Sequence, residues 1–253
     1  MKQLNEVQPK NSAPSIPAIP SVERRMFMRQ LGLLSASTAA FLASCARPTD
    51  DLISPGSGHS GARMGASILP DGTIDLGSGD LGISNLAYTL DQLETAFYAT
   101  ALEKAYGISQ QDRKVIAELH DHELVHREFF KALLDGNGIP MLDFDFSGIS
   151  FSDRNSVFDA AQQFEDVGIA AFNGTGPLIE DLELLKIAGK LVSIEARHAT
   201  LARYMLQPKS YFSLGHELID PQGRDWALTP EEVVKKAQPY IKQKISVANL
   251  PKY

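Results

Sequence analysis

The sequence predicts an all-α protein: an antiparallel four-helix bundle made of two copies of one helix hairpin, followed by a C-terminal extension. Three observations carry that expectation. Between about residues 84 and 207, four segments of more than 20 residues repeat their apolar positions with a period near 3.6. Stop signals separate them, at Gly107, Gly136-Asn137-Gly138-Ile139-Pro140 and Gly174-Thr175-Gly176-Pro177. The third observation is an internal duplication. A helix with one inward glutamate precedes a helix with Glu-x-x-His, first as Glu94 then Glu123 and His126, and again as Glu165 then Glu195 and His198. The spacing from Glu94 to Glu123 is 29 residues and from Glu165 to Glu195 it is 30.

Taken in order, the first helix spans about Ser84 to Tyr106, with an inward stripe of Leu86, Leu90, Glu94, Phe97 and Ala101. Ser109 caps the second helix, with Asp112 three positions on completing a capping box. Ser152 or Asp153 opens the third, whose stripe is Phe158, Ala161, Glu165, Gly168 and Phe172. The fourth covers about Asp181 to Gln207 and turns Leu184, Ala188, Leu191, Glu195, His198 and Ala202 inward. The extension, 208–253, contains Thr229-Pro230-Glu231-Glu232, the start of one short helix reaching about Lys242. It is expected to pack across the bundle with Trp226 and Tyr211 as anchors, and to carry no chemistry.

The N-terminus reads as an export signal. Arg24 and Arg25 precede the 13-residue apolar run Leu31 to Ala43, which is too short for a mature membrane span. The paired arginines resemble a twin-arginine signal, and Leu42-Ala43-Ser44-Cys45 resembles the lipobox of bacterial lipoproteins. The expectation is a signal peptide over 1–44, lipidation at Cys45, a flexible tether over 45–81 and a bundle over 82–207. Ser67 to Ile74 would make a small turn near the end of the tether. The product would be a membrane-tethered lipoprotein of the cell envelope or periplasm, touching the membrane through its anchor alone. Cys45 is the only cysteine, which excludes an internal disulfide and a thiolate metal site. Of the 24 basic and 31 acidic side chains, five and two lie in 1–44, leaving a body of net charge −10. That balance excludes the basic footprint that nucleic-acid binding needs.

Residues three apart on a helix leave from nearly the same face. Leu119 and Phe130 extend the face of Glu123 and His126, and Leu191 and Ala202 that of Glu195 and His198, so both pairs should be buried. One Glu-x-x-His is ordinarily a surface coincidence; six polar residues in duplicated register call for a common cause. Four clustered carboxylates cannot all stay ionised, because each raises the others' pKa. Two divalent cations would neutralise them, and oxygen ligands with some imidazole suit iron or manganese. The expected metal ligands are therefore Glu94, Glu123, His126, Glu165, Glu195 and His198, holding two Fe ions (Mn being the other fit). Coordination positions left open would admit water or dioxygen. Asp91, Tyr98 and Gln162 are candidates to support the ligands from behind, with core packing the plainer role for Tyr98. His120 and His122 are expected to be exposed and to point away. Gly168 should allow close helix approach or widen a path for a small oxidant.

Gly79-Asp80-Leu81-Gly82-Ile83 leading into Leu90-Asp91-Gln92-Leu93-Glu94-Thr95-Ala96-Phe97-Tyr98 resembles the ferritin-like family that includes desiccation-related proteins. Phe164-Glu165-Asp166-Val167-Gly168 and Glu195-Ala196-Arg197-His198-Ala199 fit it too, and the resemblance covers about residues 78–207. The wider class is the ferritin-like di-iron carboxylate superfamily, the type described for such bundles in general. The resemblance implies the same six metal ligands, with Glu123 and Glu195 bridging. Asp91 has no acidic counterpart in the second repeat, where Gln162 stands, so the two metal positions are expected to differ. The expected activity is redox chemistry with dioxygen or peroxide. The competing expectation is a non-enzymatic envelope protein for stress protection, metal sequestration or partner binding on the same bundle. Oligomeric state is not readable from the sequence.

Overall fold

Among the described residues, four long helices and one short one pack together. The computed structural model describes residues 64–206 and 219–252. The helices are α1 (Gly79–Lys104), α2 (Gln110–Leu134), α3 (Arg154–Thr175), α4 (Leu182–Leu206) and α5 (Pro230–Ala237). Three two-residue strands accompany them: β1 (Ser67–Ile68), β2 (Ile74–Asp75) and β3 (Ile245–Ser246). Helix α1 packs along α2 and α3 along α4, and the two hairpins meet mainly where α1 lies against α3. Helices α2 and α4 approach each other much less closely, and the polar residues of the duplicated motif fill the space between them.

The local signals explain the boundaries. The Ser109 hydroxyl accepts from the Asp112 amide while the Asp112 carboxylate accepts from the Ser109 amide, a complete capping box at the start of α2. Asp153 caps α3, accepting from the Asn155 amide. Thr229 and Glu232 form a second capping box in front of α5, where Pro230 takes the first helical position. The start of α4 has two layers of support. Asp181 accepts from the amides of Glu183 and Leu184, and the buried Asp80 of α1 accepts from the amides of Glu180 and Asp181, both at 2.9 Å. Amide groups at a helix N-terminus lack intrahelical partners, so a carboxylate from α1 ties the second hairpin to the first.

Helix α1 is covered on nearly every side. Its inward stripe is buried as expected, but so are Asp80, Ser84, Asn85, Thr89, Asp91, Gln92 and Thr95. Several of these polar groups bond the loop that follows α2. Asn85 donates to the carbonyls of Leu76 and Asn137 and accepts from the Ile139 amide, and Gln92 accepts from the Leu142 amide.

The structure departs from the sequence reading at both ends of the bundle. Helix α1 begins at Gly79, a turn before Ser84. Residues 64–78, expected as the last part of a tether, instead build the β1–β2 hairpin and bury Leu76 completely. The expected turn is there, closed by a Gly72 amide to Leu69 carbonyl bond with Gly72 at positive φ. Strand β3 runs parallel beside β2, so the C-terminal segment closes onto the entry to α1. The segment before α5 crosses α3 at Gly174, where an added Cβ would sit 1.9 Å from the Leu228 carbonyl oxygen. Trp226 does not anchor the extension: it is 50% exposed. The expected signal peptide, Cys45, residues 45–63 of the tether and Tyr211 lie outside the described residues. Among the described residues no helix is long and apolar enough to cross a membrane.

Candidate metal centre

The four long helices bring ionisable side chains from both hairpins to one level of the core. Asp91, Glu94, Glu123, His126, Glu165, Glu195 and His198 are all buried, none more than 7% exposed. Two compact groups of donor atoms result. Asp91, Glu123, His126 and Glu195 each offer an atom within 4.8 Å of the others, and so do Glu123, Glu165, Glu195 and His198. Glu123 and Glu195 belong to both groups. The first group takes its private members from α1 and α2, the second from α3 and α4, so the duplication of the sequence is a two-fold arrangement of donors in space.

The approaches inside the groups are close. His126 Nδ1 lies 2.8 Å from Glu195 Oε1, and His198 Nδ1 lies 2.6 Å from Glu123 Oε1 and 3.5 Å from Glu165 Oε2. These are charge–charge approaches without hydrogen-bond alignment. Both Nδ1 atoms, both oxygens of Glu123 and of Glu195, and one oxygen each of Asp91, Glu94 and Glu165 are buried with no hydrogen-bond partner. Buried polar atoms are nearly always hydrogen-bonded in folded proteins. So many orphans in one place, near one another yet not aimed at one another, are what lone pairs do when they converge on points that cations would occupy.

Without cations the cluster balances its charge with protons. Burial, reinforced by Glu123 and other neighbouring carboxylates, pushes Asp91 and Glu94 well above the ordinary carboxylate range. The same causes push Glu165 up to about 8. Burial opposes charge on the histidines, but the adjoining carboxylates overcome it and push His126 up to about 10 and His198 to about 12. Burial also opposes charge on Glu195, and its contacts with the two histidines outweigh that and pull it down to about 2.

The six expected ligands therefore all reach the core, with one exchange of roles. Asp91, expected as a support, lies in a donor group. Glu94 stands beside the groups, with an orphan oxygen that would sit 3.3 Å from a Cβ built on Gly168, next to Glu195 Oε2 at 3.6 Å from the same point. Its side chain is longer and starts one turn further along α1, which carries the carboxylate past the point that Asp91 reaches. Tyr98 is both packed and polar: fully buried, it donates to Glu165 Oε1 at 2.5 Å. Burial and the Glu165 charge raise its pKa well above the usual value, so it stays a donor. Gln162 is half-buried and turned to Asp166 instead, which Arg203 also holds with two contacts of 2.7 Å.

His122 corrects the sequence reading. Its residue is exposed, but its Nδ1 lies 2.9 Å from His198 Nε2, the nitrogen facing away from the carboxylates. Helical geometry put it off the buried face. The signal it did give was its place directly before Glu123 on α2, beside α4 across the gap. His120, expected to be exposed, is half-buried and meets its neighbour Asp121 at 3.2 Å.

The class of protein follows from fold and donors together: a helical bundle with a buried carboxylate and histidine cluster compatible with a metal site. The model of the ferritin-like domain matches residues 79–208, just over half of the chain, and the chain belongs to that family. No curated protein matches it.

Two measurements check this geometry. Because both groups share Glu123 and Glu195, Glu123→Ala or Glu195→Ala should abolish loading with two ions per chain. Asp91→Ala should remove one ion and leave the other. His122→Ala should keep both but weaken the site at His198 by about 10- to 100-fold. Metal analysis after equilibrium dialysis against ferrous or manganous ion reads all of these. The second measurement is pH. Groups whose folded pKa is raised stabilise most below their unfolded pKa and lose that contribution as pH rises through the folded value. The window from Glu165 runs from about 4.5 to about 8, and those from the histidines from about 6.5 to about 10 or 12. The metal-free protein should therefore melt at a lower temperature at pH 8 than at pH 5.5, and added divalent ion should raise the midpoint more at pH 8. Calorimetry at both pH values checks the sign.

Proposed function

We propose that this ferritin-like protein holds two divalent iron ions (manganese fits the same donors) and uses them in redox chemistry with dioxygen. The observation that carries the reading is the set of orphan donor atoms shared through Glu123 and Glu195. In this reading Asp91 and His126 would hold one ion and Glu165 and His198 the other, with Glu123 and Glu195 available to both. When bound, such a pair of ions supplies electrons to an oxidant and charge stabilisation to what forms. The rest is done by the chain's own residues. His126, His198 and Glu165 give up their protons as ions bind, so loading releases at least three protons per chain and weakens in acid. Tyr98 holds Glu165 in one orientation by donating a hydrogen bond to its Oε1. His122 orients the ring of His198 through its outer nitrogen. Glu94 stands beside the donors with a free oxygen, placed to accept a proton or to move toward an ion.

A mostly apolar route leads to the donors. A narrow cavity of about 20 Å³, enough for one small molecule, reaches Asp91, Glu94 and Glu195 between α1, α3 and α4. Leu90, Phe130, Ala171, Ile179, Leu184 and Ala188 wall it, and Gly168 keeps its inner end open beside Glu94. The lining is mostly apolar, which suits dioxygen because it needs no hydrogen-bond partner; the polar members other than the carboxylates are Thr175 and Ser84, whose buried hydroxyl has no partner.

The N-terminal sequence supports a place in the cell envelope, with export through a twin-arginine signal and a lipid anchor at Cys45. Export of a folded protein that already holds its ions would give that route a purpose.

Anaerobic loading with ferrous ion followed by rapid mixing with dioxygen tests the reading. Fast oxidation, with a new absorption band, is expected. Ala188→Leu should load normally yet react at least tenfold more slowly with dioxygen, by stopped-flow absorbance. A loaded protein inert to dioxygen would support storage or protection instead.

A further inference from the structure

A second cavity lies on the far side of α3 from the apolar one. It is an open cleft of about 490 Å³ between α3, the segment before α5 and the end of α5. That volume is in the range of sites for small organic molecules. Trp226, Tyr240 and Phe164 form its aromatic walls, and Lys235 and Lys236 stand on its rim. Among the described residues neither ammonium lies within ion-pair distance of a carboxylate. The one carboxylate in the wall, Asp166, is neutralised by Arg203. Trp226 is half exposed there, a large aromatic surface left facing a concave wall instead of the core.

The inner wall is continuous with the buried cluster. Tyr240 meets Phe164 edge-on at 4.8 Å between centroids, Phe164 meets Phe97 at 5.0 Å, and Phe97 meets Tyr98 at 5.1 Å. Tyr98 in turn donates to Glu165. Flat aromatic walls, two exposed ammonium groups at the mouth and a wall carboxylate already paired with Arg203 specify the ligand by shape and charge. We propose that this cleft binds a planar aromatic anion, the chemical class to which anionic quinones and flavin phosphates belong. The site is separate from the metal centre, and binding there needs no metal.

Trp226 is the only tryptophan in the 253 residues, so fluorescence excited where the seven tyrosines do not absorb reports on this cleft. Titrating the metal-free full chain with anthraquinone-2-sulfonate should quench that emission saturably. The uncharged 2-(hydroxymethyl)anthraquinone should bind at least tenfold more weakly. Lys235→Gln/Lys236→Gln, which changes only exposed side chains, should weaken sulfonate binding by at least tenfold, with the far-ultraviolet circular dichroism unchanged. Quenching that rises linearly without saturating, or a saturable response that the double variant leaves unaltered, would overturn the proposal. Because the titration is done without metal, its failure says nothing against the metal centre, and failed metal loading would leave this cleft standing.

Discussion

The interaction on which the rest depends is an unfinished one: donor atoms from four helices converge in the core without satisfying each other. Two imidazoles and four carboxylates in two overlapping groups, with Glu94 beside them, would each cost several kcal/mol to bury ionised and unpaired. The metal-free chain reduces that cost by keeping protons on Asp91, Glu94 and Glu165 and on both histidines. This is a stopgap, since protons neutralise charge but cannot fill the points at which the lone pairs meet. A pair of divalent ions would do both. The site therefore makes sense as a place where cations and protons exchange, and the pH dependence of loading and stability follows from that exchange.

The scaffold is shaped around this cluster. Helices α2 and α4, which carry the two Glu-x-x-His motifs, are held apart, and the close packing lies within each hairpin and between α1 and α3. Asp80 fixes the second hairpin by binding the amides at the start of α4. Gly168 leaves α3 without a side chain where Glu94 and Glu195 need room. Covering α1 on its outer side falls to the loop after α2, the β-hairpin and the C-terminal segment. The extension is thus part of what keeps the cluster dry, although it contributes no donor to it.

Much of this was legible in the sequence because it follows from helical period and capping. Ser109 with Asp112 and Thr229 with Glu232 marked two helix starts to the residue, and the stripe residues of the four helices are buried, with Phe172 and Leu191 only partly so. The duplicated register located the six expected polar residues at one level of the core. What escaped depends on distance across helices, which periodicity does not encode. Asp91 and Glu94 share a face of α1, and only the position of α2 decides which carboxylate joins the donors. His122 lies off the buried face by any helical count, yet α4 comes near enough for its ring to reach His198. Residues 64–78 look like a linker by composition because a two-strand hairpin is too short to show alternation, and the strand that completes its sheet lies some 170 residues away. Trp226 is large and apolar, so a core position was the natural expectation, and its half-exposed place in a cleft had no local signal.

Anomalous X-ray diffraction from crystals of the protein, soaked in ferrous or manganous salt, tests the central claim most directly. The account predicts two anomalous peaks on either side of the Glu123 and Glu195 carboxylates, about 3.5–4 Å apart as in paired-metal sites generally, with Nδ1 of His126 on one and of His198 on the other. Crystals that show no peak there, with those imidazoles instead in aligned hydrogen bonds to Glu195 and Glu123, would contradict it.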